Sequence, residues 1–313
     1  MKDARARRRR ALAVGVLAGV AVLVAALFGA AGGGGGHGAT ARTRASAAPA
    51  PPPVRSLPRG GRRILPHFRV VAFYGAPQDP GLGTLGIGTP RQAATRLERV
   101  ARGYVRLGRP VLPALELLAV VADRDPGADG MYSVRQRPSV IARYLRAARR
   151  IRAELVLDIQ PGHRGFWEEA HVLRRWLREP DVSLALDPEW HTPGAVPGQV
   201  IGSVDAREVN AISFWLQDIV RRDHLPQKLL LVHRFTPGMI AGDLKPRRDV
   251  AVTVNVDGFG GPAIKRVKYE QFAHRRASRL FNGFKLFFKE DTDLMRPQDV
   301  AHLRPRPDVI VYE

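Results

Sequence analysis

Asp187 and Glu189 close the run LALDPEW, Leu184 to Trp190, and two carboxyl groups so near each other are the strongest chemical signal in the chain. On an extended strand, residues two apart share a face with Cα atoms about 6.6 Å apart. Such a pair suits cleavage of a glycosidic bond. One carboxyl, its pKa raised, protonates the leaving oxygen, while the other stabilises or attacks the oxocarbenium-like centre or activates water. Asp158 and Asp257 end other apolar runs and could support or replace either role. The competing role for the pair is helix capping or loop fixing in the Pro188 to Val204 connection, whose length is itself in keeping with function. His233 adds a second chemistry, because with Asp158, Asp187, Glu189 and Asp257 it offers imidazole and carboxylate ligands for a divalent metal. No His-Glu-x-x-His motif supports that set, and a lone strand histidine serves equally as a hydrogen-bonded barrel residue or a sugar-hydroxyl contact. No metal or cofactor is therefore expected.

These groups need a scaffold that converges them. Residues 61–313 alternate β-branched or Leu-rich runs with amphipathic stretches, the pattern of βα units on a parallel sheet. Eight strands are predicted: Val70 to Gly75, Val111 to Glu116, Leu155 to Gln160, Ser183 to Asp187, Lys228 to Phe235, Val250 to Val256, Phe284 to Phe288 and Val309 to Tyr312. Helices are predicted after Thr89, where Pro90 and Gln92 complete a start signal, and after Asp205, where Glu208 does the same. Others fall across Ser139 to Arg152, Phe166 to Arg178 and Ile264 to Leu280, with a weak one after Pro297. Eight strands in about 250 residues is the rhythm of a (β/α)8, TIM-like α/β barrel, with a doubly wound open sheet as the alternative. In a barrel, chemistry collects at the C-terminal ends of the strands. The sequence puts Tyr74, Glu116, Asp158, Gln160, Asp187, Glu189, His233 and Asp257 at those ends, and buried strands carry carboxylates there only for a reason beyond packing.

The runs FYGAPQDPGLGTLG (Phe73 to Gly86), LDIQPG (Leu157 to Gly162), LALDPEW (Leu184 to Trp190), VHRFTPGMI (Val232 to Ile240), VDGFG (Val256 to Gly260) and GFKLFFKED (Gly283 to Asp291) together resemble a family of secreted or membrane-tethered bacterial proteins, many described as lipoproteins. The resemblance spans about Phe68 to Tyr312 and implies export and a barrel-like fold, without a particular activity. The lipoprotein cysteine is missing here, which leaves the Ala11 to Ala31 helix as the attachment. Locally, Asp187 and Glu189 are similar to the Asp-x-Glu of glycoside hydrolase families 18 and 25. That resemblance implies Glu189 as proton donor, Asp187 as its partner and Trp190 as a sugar-stacking platform. It is confined to a few residues, since the earlier acidic positions of the family 18 signature fall on Val182 and Ala185.

Other motifs fit less well. Gly81, Gly83 and Gly86 match a dinucleotide fingerprint by letter but stand well ahead of the helix at Pro90, so a glycine-rich rim is expected instead. His163, Arg164 and Gly165 read as loop residues. Lys285 is expected early in its strand near the barrel floor, with Lys289 better placed for chemistry, and Trp167, Trp176 and Trp215 read as core.

The composition bounds the rest. There are no cysteines, which excludes disulfides, thiolate metal sites and cysteine nucleophiles. The net charge of +21 is shared between residues 1–60 and the domain, where arginines recur along helix faces as a solvated basic surface. Without a basic-aromatic motif, nucleic acid is not an expected partner; a cell-envelope glycan or another anionic surface polymer is. Six basic residues in 1–10 precede Ala11 to Ala31, which has no charged residue and would span about 30 Å as a helix. This reads as a transmembrane signal-anchor with a cytoplasmic N-terminus and an extracytoplasmic domain, released if the anchor is cleaved. Residues 32–60, rich in Gly, Ala and Pro, read as a flexible linker, and residues 61–313 as the barrel.

Overall fold

The computed structural model describes residues Arg55 to Glu313; the segments 1–10 and 11–31 and most of the predicted linker lie outside the described residues. Among the described residues no helix is long and apolar enough to cross a membrane. Eight strands run in parallel: β1 (Arg69–Gly75), β2 (Val111–Ala122), β3 (Glu154–Ile159), β4 (Val182–Leu186), β5 (Lys228–Arg234), β6 (Val250–Val256), β7 (Phe281–Leu286) and β8 (Val309–Tyr312). Each pairs with the next, and β8 returns to β1 through Val70 opposite Val309 to Phe73 opposite Tyr312, so the sheet closes into a TIM-like barrel. The intervening helices are α1 (Pro90–Arg102), α2 (Pro138–Arg150), α3 (Phe166–Val172), α4 (Arg174–Leu177), α5 (Ala206–Arg222), α6 (Pro262–Phe272) and α7 (Pro297–Ala301).

The two-residue period of a strand builds both layers of the core. Outward positions such as Val71 and Phe73 on β1, Leu155 and Leu157 on β3, and Leu230 and Val232 on β5 pack with apolar helix residues. Inward positions such as Val70, Ala72, Leu112, Ala114, Leu229, Leu231, Val309 and Val311 fill the interior. Alanine at 72, 114, 185 and 251 leaves room for larger side chains across the axis. Near the C-terminal end the inward row turns ionisable or polar on or just beyond every strand, and that row positions the candidate site.

The N-terminal end of the barrel is sealed by residues ahead of β1. Leu57, Ile64, Leu65 and Phe68 are buried in the interior cluster. The Gln227 amide oxygen accepts from the backbone N–H groups of Ile64 and Leu65 at 2.8 and 2.9 Å. Arg59 donates to the carbonyl of Val111 at 3.1 Å. The packed domain thus begins ahead of Gly61, and the end of the predicted linker belongs to it.

Several elements differ from the sequence reading. β7 starts three residues earlier and ends two earlier than predicted. β2 continues to Ala122, where Val120 to Ala122 pair antiparallel with Ser133–Arg135. The predicted helix over Phe166 to Arg178 breaks at Leu173, and the one expected to reach Leu280 stops at Phe272, where Ala273 turns extended. Asp205 caps α5 through the Arg207 N–H, but Glu208 accepts from Trp167 N instead of completing a box. Trp167 is 42% exposed rather than core.

Candidate active site

Inward polar side chains converge at the C-terminal end of the barrel: Tyr74 from β1, Glu116 from β2, Asp158 from β3, His233 from β5, Asn255 from β6 and Lys285 from β7 lie within their strands, and Asp187 and Asp257 lie just beyond β4 and β6. Glu313, just past β8, completes the ring. Above them a cavity of about 480 Å³ is lined by Tyr74, Gln160, Asp187, Glu189, Trp190 and Asp257 among the sequence candidates. Glu116, Asp158 and His233 lie beneath, with fully buried side chains.

The convergence of Asp187 and Glu189 has a different cause from strand alternation. β4 ends at Leu186, and Pro188–Trp190 form a single 3-10 turn in which Trp190 N donates to the Asp187 carbonyl at 3.2 Å. Gly202 fixes that turn from below, its N–H donating to the Glu189 carbonyl at 2.7 Å. A methyl group at 202 would overlap the carbonyl oxygens of Pro188, at 2.5 Å, and Glu189, at 2.7 Å. The long connection after β4 therefore returns to hold the turn that carries Glu189.

Lys285 is the residue that sequence reasoning misplaced. The alternation of outward Phe284 and Leu286 aims it inward at the mouth, not the floor. Its ammonium lies 2.7 Å from Glu313 Oε2 and 3.1 Å from Asp257 Oδ2, and 3.8 Å from the centroid of the Tyr74 ring. Lys289 instead reaches the carbonyl of Pro80 at an exposed position. Glu313 was also missed, although it follows the inward set Val309 and Val311 by the same period. Burial opposes the charge of Lys285, but Asp257, Glu313 and Asp187 outweigh it and raise the lysine well above its ordinary range. In that state it is a fixed cation, not a nucleophile.

The carboxyls fall into opposite environments. Burial pushes Glu189 up to about 8, with Asp187 and Asp257 adding to the rise. Burial also raises Asp187, which accepts from the Tyr74 hydroxyl at 3.3 Å, while Gln160 donates to that hydroxyl at 3.0 Å. Burial alone would raise Asp257 too, but Lys285 and His233 overcome it and hold this carboxyl far below the usual range. Its oxygens are occupied, since Oδ2 faces His233 Nδ1 at 2.9 Å and Lys285, and Oδ1 accepts from Gly258 N at 2.6 Å. His233 Nε2 lies 3.0 Å from Glu116 Oε1 and 3.7 Å from Asp158 Oδ2. Donor atoms of Glu116, Asp158 and His233 lie within 4.8 Å of one another, a potential metal-ligand set. It differs from the sequence-derived set, because Asp187 and Glu189 belong to the cavity above and Asp257 to the far side of the imidazole.

The mouth is rimmed by aromatic rings and one further cation. Trp190, Phe235, Phe287 and Phe259 line it, Phe259 at 64% exposure, and Lys268 stands beside them. Gly81 and Leu82 form another part of the wall, with Asp79 capping Gly81 N, so the glycine-rich segment is a rim. His163 and Arg164 bond instead to the Ala195 carbonyl and to Ser133, within the loops.

No known protein-family model matches this sequence, and no curated protein does. Among solved structures, oxaloacetate acetylhydrolase in complex with the inhibitor 3,3-difluorooxalacetate aligns over 78% of this chain and 67% of its own, at 11% identity and a TM-score of 0.29. A 5-methylcytosine deaminase from Klebsiella pneumoniae liganded with 5-fluorocytosine aligns over 72% of this chain and 53% of its own, at 13% identity and a TM-score of 0.31. At that level of overlap neither bears on the activity, and the architecture rests on the strand register above.

Proposed function

We propose that this protein is a membrane-tethered, extracytoplasmic barrel that hydrolyses a glycosidic bond in a cell-envelope polysaccharide. The observation that carries the reading is that one cavity holds carboxyls with opposed proton affinities: Glu189, pushed up to about 8, keeps its proton at neutral pH, and Asp257, held by Lys285 and His233, does not. Environments that push two such groups apart decide which carboxyl keeps a proton to donate and which stays charged. Glu189 gives its proton to the leaving oxygen as the bond from the anomeric carbon breaks. Water supplies the new oxygen to that carbon, and its proton passes to Asp187. Asp257, with all its contacts taken, acts as a fixed negative charge beside the cationic centre. The Asp-x-Glu likeness at 187 and 189 and the aromatic rim, with Trp190 and Phe259 able to stack on sugar faces, support the substrate class. The uncharged stretch Ala11 to Ala31 behind six basic residues supports the tether.

Reducing-end release from purified envelope polysaccharides by the full chain in detergent tests the reading, run beside Glu189→Gln and Asp187→Asn. Release that falls by orders of magnitude in both variants is expected. Retention of the polysaccharide by the folded wild type with no release would replace it by the rival reading, a barrel that binds a glycan or anionic polymer without cutting it.

A further inference from the structure

We propose that Glu116, Asp158 and His233 hold a divalent transition-metal cation, Zn²⁺ or Mn²⁺, beneath the floor of the mouth cavity. These three side chains come from β2, β3 and β5 and are fully buried. Both carboxylate oxygens of Asp158 lack a hydrogen-bond partner, as do Glu116 Oε2 and, on the adjoining strand, Asn255 Oδ1. A buried carboxylate with neither oxygen satisfied is costly, and coordination to a cation is one of the few ways to satisfy it.

The spacing and the donor types fit. Ligand atoms bound to one ion at about 2.1 Å sit about 3.0 to 3.5 Å from one another. The imidazole Nε2 lies 3.0 Å from Glu116 Oε1 and 3.7 Å from Asp158 Oδ2, both within a few tenths of an ångström of that spacing, and ligand atoms of all three residues lie within 4.8 Å of one another. The other nitrogen of His233 already faces Asp257 at 2.9 Å. A metal-bound histidine characteristically gives its second N–H to a carboxylate, which fixes the tautomer and orients the ring. One imidazole and two carboxylates favour Zn²⁺ or Mn²⁺; Ca²⁺ asks for six to eight oxygens, which three side chains do not supply. An ion here would tie together three strands that are not all neighbours and offset the crowding of Glu116, Asp158 and Asp257 around one histidine.

The test reads metal per chain and unfolding, so its outcome is independent of whether a glycosidic bond is cut. Full chain in detergent is stripped with a chelator, dialysed, and titrated separately with Zn²⁺, Mn²⁺, Mg²⁺ and Ca²⁺, with bound metal counted by mass spectrometry and the unfolding midpoint followed. About one Zn²⁺ or Mn²⁺ per chain is expected, with a midpoint that climbs with free metal. Asp158→Asn and His233→Gln should each weaken binding at least a hundredfold, while the surface variant Glu179→Gln should not change it. If the buried variants do not fold, the wild-type stoichiometry and midpoint decide. Less than a tenth of an ion per chain with an unmoved midpoint overturns the proposal, as does tight stoichiometric binding that survives in folded Asp158→Asn. In the first case the orphaned oxygens are satisfied by protons, not by a cation.

Discussion

At the floor of the barrel Lys228 donates to the carbonyls of Glu179 and Val182, Glu154 accepts from Ser183 at 2.7 Å, Arg69 reaches the Leu107 carbonyl at 3.0 Å, and Arg109 pairs with Asp308 at 2.7 Å. At the mouth the same fold buries Glu116, Asp158, Asp187, His233, Asp257 and Lys285 and leaves several oxygens of that group without a partner, where the floor leaves only Glu154 Oε2 among those named. The floor uses charge to tie backbone ends together. The mouth concentrates unpartnered charge beneath the cavity that holds Asp187 and Glu189, whereas the floor's own cavity, about 590 Å³ and lined by Arg69, Arg109 and Asp308, carries side chains already paired with carbonyls or with each other. A buried ionisable group is therefore a poor pointer to function until its partners are counted.

Breaking the mouth should cost activity first. Glu189→Gln is expected to lower turnover by about 10² to 10⁴, the worth of a general acid, with little change in the unfolding midpoint. A rate within threefold of wild type would remove Glu189 from the mechanism. Lys285→Met should cost about 3–5 kcal/mol in denaturant unfolding, because Asp257 and Glu313 lose their shared cation in a buried place. At the floor, Lys228→Met should cost less, about 1–3 kcal/mol, since it orphans two carbonyls while the Glu154 carboxyl, already raised to about 7 by burial, can take up a proton. It should leave turnover unchanged, and a comparable loss of turnover in both lysine variants would erase the contrast between the ends.

Finer changes sharpen the same contrast. Gly202→Ala, by displacing the turn under Glu189, should reduce kcat/KM by about tenfold or more while the chain stays folded. The pH profile should show turnover falling above about pH 8 as Glu189 loses its proton, a limb that vanishes in Glu189→Gln. Its stability linkage has the opposite sign to that of a salt-bridged carboxylate. Between the ordinary carboxyl range and pH 8 the folded state holds a proton that the unfolded chain has released, so this group makes stability fall as pH rises through that window. Denaturant midpoints that stay flat there, in wild type and variant alike, would contradict the environment assigned to Glu189.

The barrel was legible in the sequence because alternation is a local signal repeated over eight strands, with polar side chains ending the first six and carboxylates four of those. Lys285 was not, for a local reason. The predicted strand begins only at Phe284, leaving out Asn282 and Gly283, which puts Lys285 at its start. In the structure Asn282 bonds to both the N–H and the carbonyl of His274, and Gly283 leaves room for Asn255 across the sheet, so both residues sit inside β7. The pairing of Glu189 with Asp187 was named for the wrong geometry, since the 3-10 turn and its Gly202 support depend on a contact 13 residues along the chain that no period reveals. The Glu116, Asp158 and His233 cluster needed the closure of the sheet to bring three separate strands onto one point.

The seal formed by Leu57, Ile64, Leu65 and Phe68 also decides which way the molecule faces. The described chain enters at the closed pole, with Arg55 reaching the carbonyl of Arg178 and Arg59 that of Val111 beside the strand beginnings. Arg55 and the doorway to the cavity therefore lie at opposite poles of the described barrel. A solid support or fusion partner joined at Arg55 should leave the cavity open, whereas one joined at Glu313, which lines the cavity, should obstruct it.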